Sequence, residues 1–296
     1  MRILLFCHHP DVLYYMYNAF RALDHEVAIA NEELTYRFGF KYSSIKDNKF
    51  EVVDQLFEPH ILFPSIGPVR FETTINKITD YDIYWSMLPE ITSLTRLGAK
   101  TWFDGQMQVY LRDKRFADLP GIKSANHPDA WELNKFHFVP NWVPPQPALI
   151  EPKYITQLIT ECDKVDTTEE LLHLRRLGHH VKIHGGKKCP DGFIRDIDIL
   201  PYTRLLVHNK QFGINCYAVC KALDMGIPVY MSKQTKNMIG FDDLPDSLFF
   251  FDTEWSISSA AMALYNIPNS RQEVYRDIYT EDRTVDAVDK ILKTYL

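Results

Sequence analysis

A chain of 296 residues with 46% apolar and 13% aromatic content has the length for two domains of roughly 150 residues each and enough apolar residues to build real cores. Its formal charge of −6, with no basic tail or basic half, argues against nucleic-acid binding through bulk electrostatics. Five cysteines, at 7, 162, 189, 216 and 220, form no CxxC pair and no metal-finger spacing, and read as scattered thiols in a reducing cytoplasm.

The opening MRILLFCHHPD has one basic residue and a short apolar run that ends at two histidines, so it reads as a first strand and not as a secretory signal. No run approaches the ~20 apolar residues of a membrane span. Arg2–Cys7 is continuously apolar, as in a strand buried on both faces. Val12–Leu23 follows with helical periodicity and His25–Ala30 is a second strand, a βαβ opening that predicts a parallel sheet. Further strands are expected at His60–Phe63, Asp82–Met87, Lys100–Phe103 and Lys135–Pro140.

Three prolines in four residues, Pro144, Pro145 and Pro147, can continue neither a helix nor a central strand, and they mark a linker. The expected domains are therefore 1–145 and 146–296, with the last helix able to pack back on the first. Beyond the linker, strands are expected at Tyr154–Thr160, Val181–His184, Arg204–His208, Pro228–Met231 and Leu248–Asp252. A helix begins at Thr167 with Glu169 and Glu170 in its first turn and stops at Gly178. Helices over Ser256–Tyr265 and Arg271–Tyr295 close the chain.

The most informative segment is Phe212–Ser232, FGINCYAVCKALDMGIPVYMS. It predicts a glycine turn, a helix with Ile214, Tyr217, Val219, Ala222 and Leu223 on its inner side, a stop at Gly226 and a buried strand after Pro228. The helix N-terminus after Phe212 and Gly213 offers backbone N–H groups and partial positive charge to an anion.

In order along the chain, VPNWV (Val139–Val143), the Leu200-Pro201-Tyr202 run before RLLVHN, and KALDMGIPV (Lys221–Val229) resemble the motifs of the GT-B glycosyltransferases. In that family the corresponding signatures are IPNGV, a short helix before a donor-side strand, and EAMAxGxPVV. The resemblance covers about residues 135 to 232 by motif and the first half by architecture alone. It implies an α/β fold of two Rossmann-like domains facing each other across a cleft, with a nucleotide-sugar held mainly by the second. One position departs: where the family has a glutamate for the ribose hydroxyls, this chain has Lys221, which has donors and no acceptor. Lys221 could meet a phosphate instead, Asp224 could take the acidic role, or donor binding could be lost.

Asp104, at the end of its strand and followed by Gly105 and Gln106, is the leading catalytic candidate as a base for an acceptor hydroxyl; capping a turn is the alternative. A strand, an aspartate and a basic loop are also similar to the bacteriophage DNA β-glucosyltransferases, and here that loop supplies Arg112, Lys114 and Arg115. His8, His9 and Asp11 follow the first strand, where a loop meets the ligand edge of such a sheet; helix capping and burial are the other reading. For the donor phosphates the sequence offers Gly186 and Lys187 after a strand, Arg195, Arg204 and His208, with a solvated surface role the competing reading for the lysines. His179, His180 and His184 lack a completing cysteine or carboxylate, so no metal is expected.

The resulting expectation is a cytoplasmic transferase (host cytoplasm if the chain is viral) that needs no cofactor, takes a nucleotide-sugar, UDP-linked by preference, as co-substrate, and modifies a hydroxyl of a glycan or lipid-linked saccharide. The phage-type alternative places the sugar on a hydroxymethylated DNA base, which would have to be flipped out. A nucleotide-sugar epimerase or hydrolase and a non-catalytic nucleotide binder on the same fold are the remaining alternatives. Inversion would use Asp104 and retention would not.

Overall fold

The computed structural model describes residues 1–6, 10–30, 71–72, 77–105, 108–140, 142–144, 146–159, 167–186, 189–209, 216–263 and 271–296. The expected strand His60–Phe63 lies outside the described residues. The chain divides into two units, Met1–Trp142 with Glu281–Leu296, and Val143–Thr280.

The first unit is a seven-stranded sheet of β1 (Arg2–Phe6), β2 (Glu26–Ala30), β3 (Phe71–Glu72), β4 (Ile83–Ser86), β5 (Thr101–Asp104), β6 (Ile122–Ala125) and β7 (His137–Phe138). Their order is β3-β2-β1-β4-β5-β6-β7, with every pairing parallel. Chain direction across the sheet reverses between β1 and β4, which makes the carboxyl ends of those strands the natural ligand edge. Helix α1 (Pro10–Ala22) covers the sheet with a buried run from Val12 to Tyr17 and with Phe20, whose ring meets that of Trp102 edge-on at 5.6 Å. The strand β6 was not expected, because Ile122-Lys123-Ser124-Ala125 has neither β-branched enrichment nor alternation; Gly121 and the pairing with β5 place it.

Within the first unit, the ring of Trp142 stacks on Tyr14 of α1 at 5.2 Å. Within the second, the backbone N–H of Gln146 donates to Asp224 at 2.9 Å.

The second unit has a five-stranded sheet of β8 (Tyr154–Ile159), β9 (Val181–Gly185), β10 (Thr203–Val207), β11 (Val229–Met231) and β12 (Phe249–Phe251), in the order β12-β11-β10-β8-β9 and again all parallel. Here the reversal falls between β8 and β10. Helices α2 (Gln108–Arg112) and α3 (Ala130–Asn134) belong to the first unit. The second unit carries α4 (Thr167–Arg176), α5 (Asp196–Ile199), α6 (Tyr217–Asp224), α7 (Lys233–Ile239), α8 (Ile257–Ala263) and α9 (Arg271–Ile278).

α6 ends as its sequence requires. Gly226 takes φ 75°, its N–H bonds the Leu223 carbonyl at 2.9 Å, and the Ile227 N–H bonds that of Ala222 at 2.8 Å. This is a Schellman closure, which a residue with a Cβ would strain.

Two sequence expectations need correction. The helix expected over Arg271–Tyr295 is two helices, α9 and α10 (Glu281–Tyr295), and the break at Thr280 is also the boundary between units. Tyr279 is drawn aside by a hydrogen bond from its hydroxyl to Asp243 at 2.8 Å, and Glu281 and Asp282 then start a new first turn. α10 packs on α1 and is fixed by the Thr284 hydroxyl donating to the Pro140 carbonyl at 2.8 Å. The other correction concerns Cys189, which is disulfide-bonded, whereas Cys216 and Cys220 are thiols. Local spacing cannot show a pairing that is made in space.

Candidate functional site

At the carboxyl edge of the first sheet, Asp104 ends β5 and is fully buried. The Tyr15 hydroxyl donates to its Oδ2 at 3.0 Å and the Ser124 hydroxyl to its Oδ1 at 2.8 Å, while the Trp102 indole donates to Ser124 at 2.7 Å. Buried carboxylates require such donors, and these join α1, β5 and β6 around one residue. A substrate hydroxyl would have to displace Tyr15 or Ser124 to reach it, so the placement fits an anchor better than a base.

The basic residues expected near the acceptor fold back on their own unit. Lys114 donates to the Leu133 carbonyl, and Arg115 grips Asp113 at 2.9 and 3.0 Å. The hydrogen bond from Arg115 holds the Asp113 carboxyl below its ordinary range. Arg112 ends α2 and is exposed. His8, His9 and Gln106, with Lys187, Phe212 and Gly213 of the second unit, lie outside the described residues; Asp11 lies in α1 and its side chain is not described.

At the carboxyl edge of the second sheet, His208 follows β10 directly, at the reversal point, and is 1% exposed. Its backbone N–H bonds the Tyr230 carbonyl at 2.8 Å, its Nδ1 is 3.8 Å from the Cys216 sulfur, and its buried Nε2 has no hydrogen-bond partner among the described residues. The next residue, Asn209, joins two loops: its Oδ1 accepts from the Ser232 N–H at 3.3 Å and the Thr235 hydroxyl at 2.9 Å. Ser232 in turn caps α7 by accepting from the Thr235 N–H.

His184, in β9, stands level with Leu158 of β8. Its Nδ1 lies 3.1 and 3.3 Å from the carbonyl oxygens of Asp191 and Gly192. Both are acceptors, so in the neutral ring Nδ1 carries the proton and Nε2 keeps the lone pair. Gly185 beside it allows β8 to approach, since a Cβ there would lie 1.7 Å from the Ile159 carbonyl oxygen. Burial raises the Asp191 carboxyl, but hydrogen bonds from the Ile183 N–H and Arg175 outweigh it and hold the group below its ordinary value.

The structure divides the other expected donor residues. The Gly186 carbonyl accepts from the Cys189 N–H at 2.9 Å. Arg195 is exposed and forms a two-point pair with Asp198 at 2.7 and 2.9 Å. Arg204 is the second residue of β10, about 13 Å along the strand from His208 at the extended rise per residue, near the opposite edge. Lys221 is buried, with Nζ 2.8 Å from Asp196 Oδ2. Asp224 is 4% exposed, and Arg276 grips its carboxylate at 2.7 and 3.1 Å while the Gln146 N–H occupies it as well. It fastens α6 to α9 and to the backbone of Gln146.

Of the sequence candidates among the described residues, His208 stands at the second reversal point with a ring nitrogen that has no partner there. The sequence reading passed over Asn209, took Cys216 as one of the scattered thiols, and weighed His184 only as a metal ligand. Counting along β9 and β10 would have placed both histidines near one sheet edge. Among the described residues no group of three or more His, Cys, Asp or Glu is placed to hold a metal ion, and no helix is long and apolar enough to cross a membrane.

No protein-family profile matches the chain, and no curated protein matches it. Solved structures do. A TarM variant from S. aureus, crystallised with fondaparinux, alpha-GlcNAc-glycerol and UDP, superposes with a TM-score of 0.60 at 11% identity, covering 98% of this chain and 99% of that one. The sucrose-phosphate synthase of Thermosynechococcus elongatus gives 0.53 at 10% identity over 99% and 98% of the two chains. A putative UDP-N-acetylglucosamine 2-epimerase from Listeria monocytogenes gives 0.53 at 10% identity over 99% and 96%. The chain therefore has the α/β fold of the GT-B glycosyltransferases, with two parallel sheets and alternating helices. At this identity the likeness speaks for the fold alone.

Proposed function

We propose that the protein is a GT-B glycosyltransferase that moves a sugar from a nucleotide donor to a hydroxyl of a glycan or lipid-linked saccharide. One observation carries the reading: on this fold, the reversal point of the second sheet presents His208, whose Nδ1 lies 3.8 Å from the Cys216 sulfur at the start of α6 and whose buried Nε2 has no partner among the described residues. A histidine ring nitrogen and helix N–H groups suit a diphosphate. The acceptor oxygen attacks the anomeric carbon, the bond from that carbon to the diphosphate oxygen breaks, and the nucleoside diphosphate leaves. UDP is the preferred nucleotide, because the TarM variant of similar fold is a complex with UDP. A donor of this kind points to the cytoplasm; the Cys189 disulfide is the feature that counts against that compartment.

Thermal-shift titration with UDP, GDP, CMP and their sugars tests the donor. UDP should stabilise the protein and His208→Ala should lose most of that shift; no nucleotide stabilising at millimolar concentration would overturn the reading. Transfer is then followed with radiolabelled UDP-sugars on glycan, lipid-linked saccharide and hydroxymethylated DNA acceptors, and label on the DNA alone would move the acceptor to the phage type. The second reading, an epimerase or donor hydrolase, is favoured by the likeness to the structure named a putative UDP-N-acetylglucosamine 2-epimerase. It predicts a changed or released sugar with no acceptor present.

A further inference from the structure

We propose that Cys216 is an activated thiol, open to small disulfides and other soft electrophiles, with His208 as the group that takes its proton. Cys216 is the N-cap of the eight-residue helix α6, and its carbonyl accepts from the N–H groups of Val219 and Cys220 at 2.9 and 3.1 Å. The side chain makes no capping hydrogen bond and is partly exposed. Its sulfur therefore sits at the positive end of a helix, 3.8 Å from Nδ1 of a histidine that is 1% exposed. Nε2 of that ring has no partner among the described residues, so none of them competes for its proton.

A helix N-terminus and a neighbouring imidazole are the two features that stabilise a thiolate. Serine, threonine, asparagine and aspartate are the ordinary residues at an N-cap, and a cysteine is an unusual choice for capping alone. The described charges nearby do not oppose the effect. Lys221 on the same helix is paired with Asp196, and Asn209, Ser232 and Thr235 on the adjoining loops are neutral and bonded to one another. Tyr275 of α9 faces the buried Cys220, not Cys216.

In the expected reaction the Cys216 proton moves to His208 Nδ1 and the sulfur attacks one sulfur of a small disulfide. The S–S bond of the reagent breaks, its other half leaves as a thiolate and takes up a proton, and a mixed disulfide remains on Cys216. If the proposed function is correct, that adduct occupies the start of α6 and blocks the donor diphosphate.

The test uses the full chain under native, non-reducing conditions, with iodoacetamide as probe and peptide mass spectrometry as readout. At about pH 6, Cys216 should be alkylated about tenfold faster than a free cysteine model thiol, the gain in thiolate fraction exceeding the loss in nucleophilicity. Cys220, which is fully buried, should stay unlabelled. His208→Gln should bring the Cys216 rate down to that of the model thiol. A wild-type rate no faster than the model thiol overturns the proposal without reliance on any variant, and so does an unchanged rate in a folded His208→Gln protein. Glutathione disulfide should then abolish the UDP thermal shift of the wild type and not that of Cys216→Ser; a shift that survives modification refutes the blocking step. If UDP shifts neither unmodified protein, the donor reading fails, while the alkylation rates still decide on the thiol.

Discussion

Asp224→Ala separates a structural carboxylate from a ligand-binding one. In the native protein the Asp224 carboxylate accepts from Arg276 at 2.7 and 3.1 Å and from the Gln146 N–H at 2.9 Å, while its own carbonyl accepts from Gln272. The hydrogen bond that Arg276 donates to Asp224 raises the affinity of Arg276 for its proton. Charge-assisted hydrogen bonds contribute about 1.5–3 kcal/mol each when buried. The Arg276 side chain is 45% exposed, so water recovers part of what it loses, and its share is reduced accordingly. Losing the acceptor of the Gln146 N–H adds about 1 kcal/mol. The sum is about 2–3 kcal/mol, or roughly 6–12 °C in Tm for a unit of this size. Thermal unfolding followed by circular dichroism, with and without saturating UDP, reads both quantities. The expected result is a Tm lower by that amount with the UDP-induced increment preserved. Asp224→Asn keeps an acceptor for Gln146 and should lose about half as much. A Tm within about 1 °C of wild type, together with loss of the UDP increment, would refute the structural assignment and restore Asp224 as a donor ligand.

Lys221→Glu sets a second carboxylate against Asp196 in a largely buried place and should cost about 3 kcal/mol; adding Asp196→Lys should recover most of the lost Tm in a double-mutant cycle. Tyr15→Phe removes a donor to the buried Asp104 and should destabilise the first unit by about 1.5–3 kcal/mol in denaturant unfolding. Asp104→Asn should lower stability similarly and leave transfer per folded molecule within about tenfold of wild type; an unchanged Tm with about a thousandfold loss of kcat would instead make Asp104 the base. Asp191 has a lowered folded-state pKa, so its stabilisation is present above the ordinary aspartate value near pH 4 and is lost as pH falls through the folded value. The Tm difference between wild type and Asp191→Asn should therefore shrink on acidification below about pH 4; a difference constant down to about pH 2 would refute that linkage.

Much of the fold was legible because both sheets are parallel and covered. Strands buried on both faces read as unbroken apolar runs, as in Ile3–Phe6 and Leu205–Val207, and one-residue errors at their ends change nothing. Gly226 and the prolines of the joint announce backbone geometry that few other residues tolerate. What failed to show were features decided by neighbours. The strand β6 forms because β5 offers it a ladder, since Lys123 and Ser124 carry no strand signal of their own. The break at Thr280 is made by contacts of Tyr279 and Thr284 with distant parts of their respective units, which leave no helical signature in a continuous periodic stretch.

The site divides along the same line. The position of His208 was legible because it follows a buried apolar strand, which places it at a sheet edge whatever its contacts. Arg195, Lys221 and Asp224 were chosen for their charge, and charge alone does not say whether a partner has already claimed it. Each has one: Asp198, Asp196 and Arg276. The Lys221 pairing bears most directly on function. A lysine facing a bound nucleotide would be expected to keep its ammonium available to the phosphates. One held at 2.8 Å by Asp196 has its charge answered within the fold, so its replacement of a glutamate need not add a cation to the donor site. Under the proposed function, recognition of a diphosphate would then fall to the end of β10 and the start of α6, where His208 is buried with a nitrogen that has no partner among the described residues.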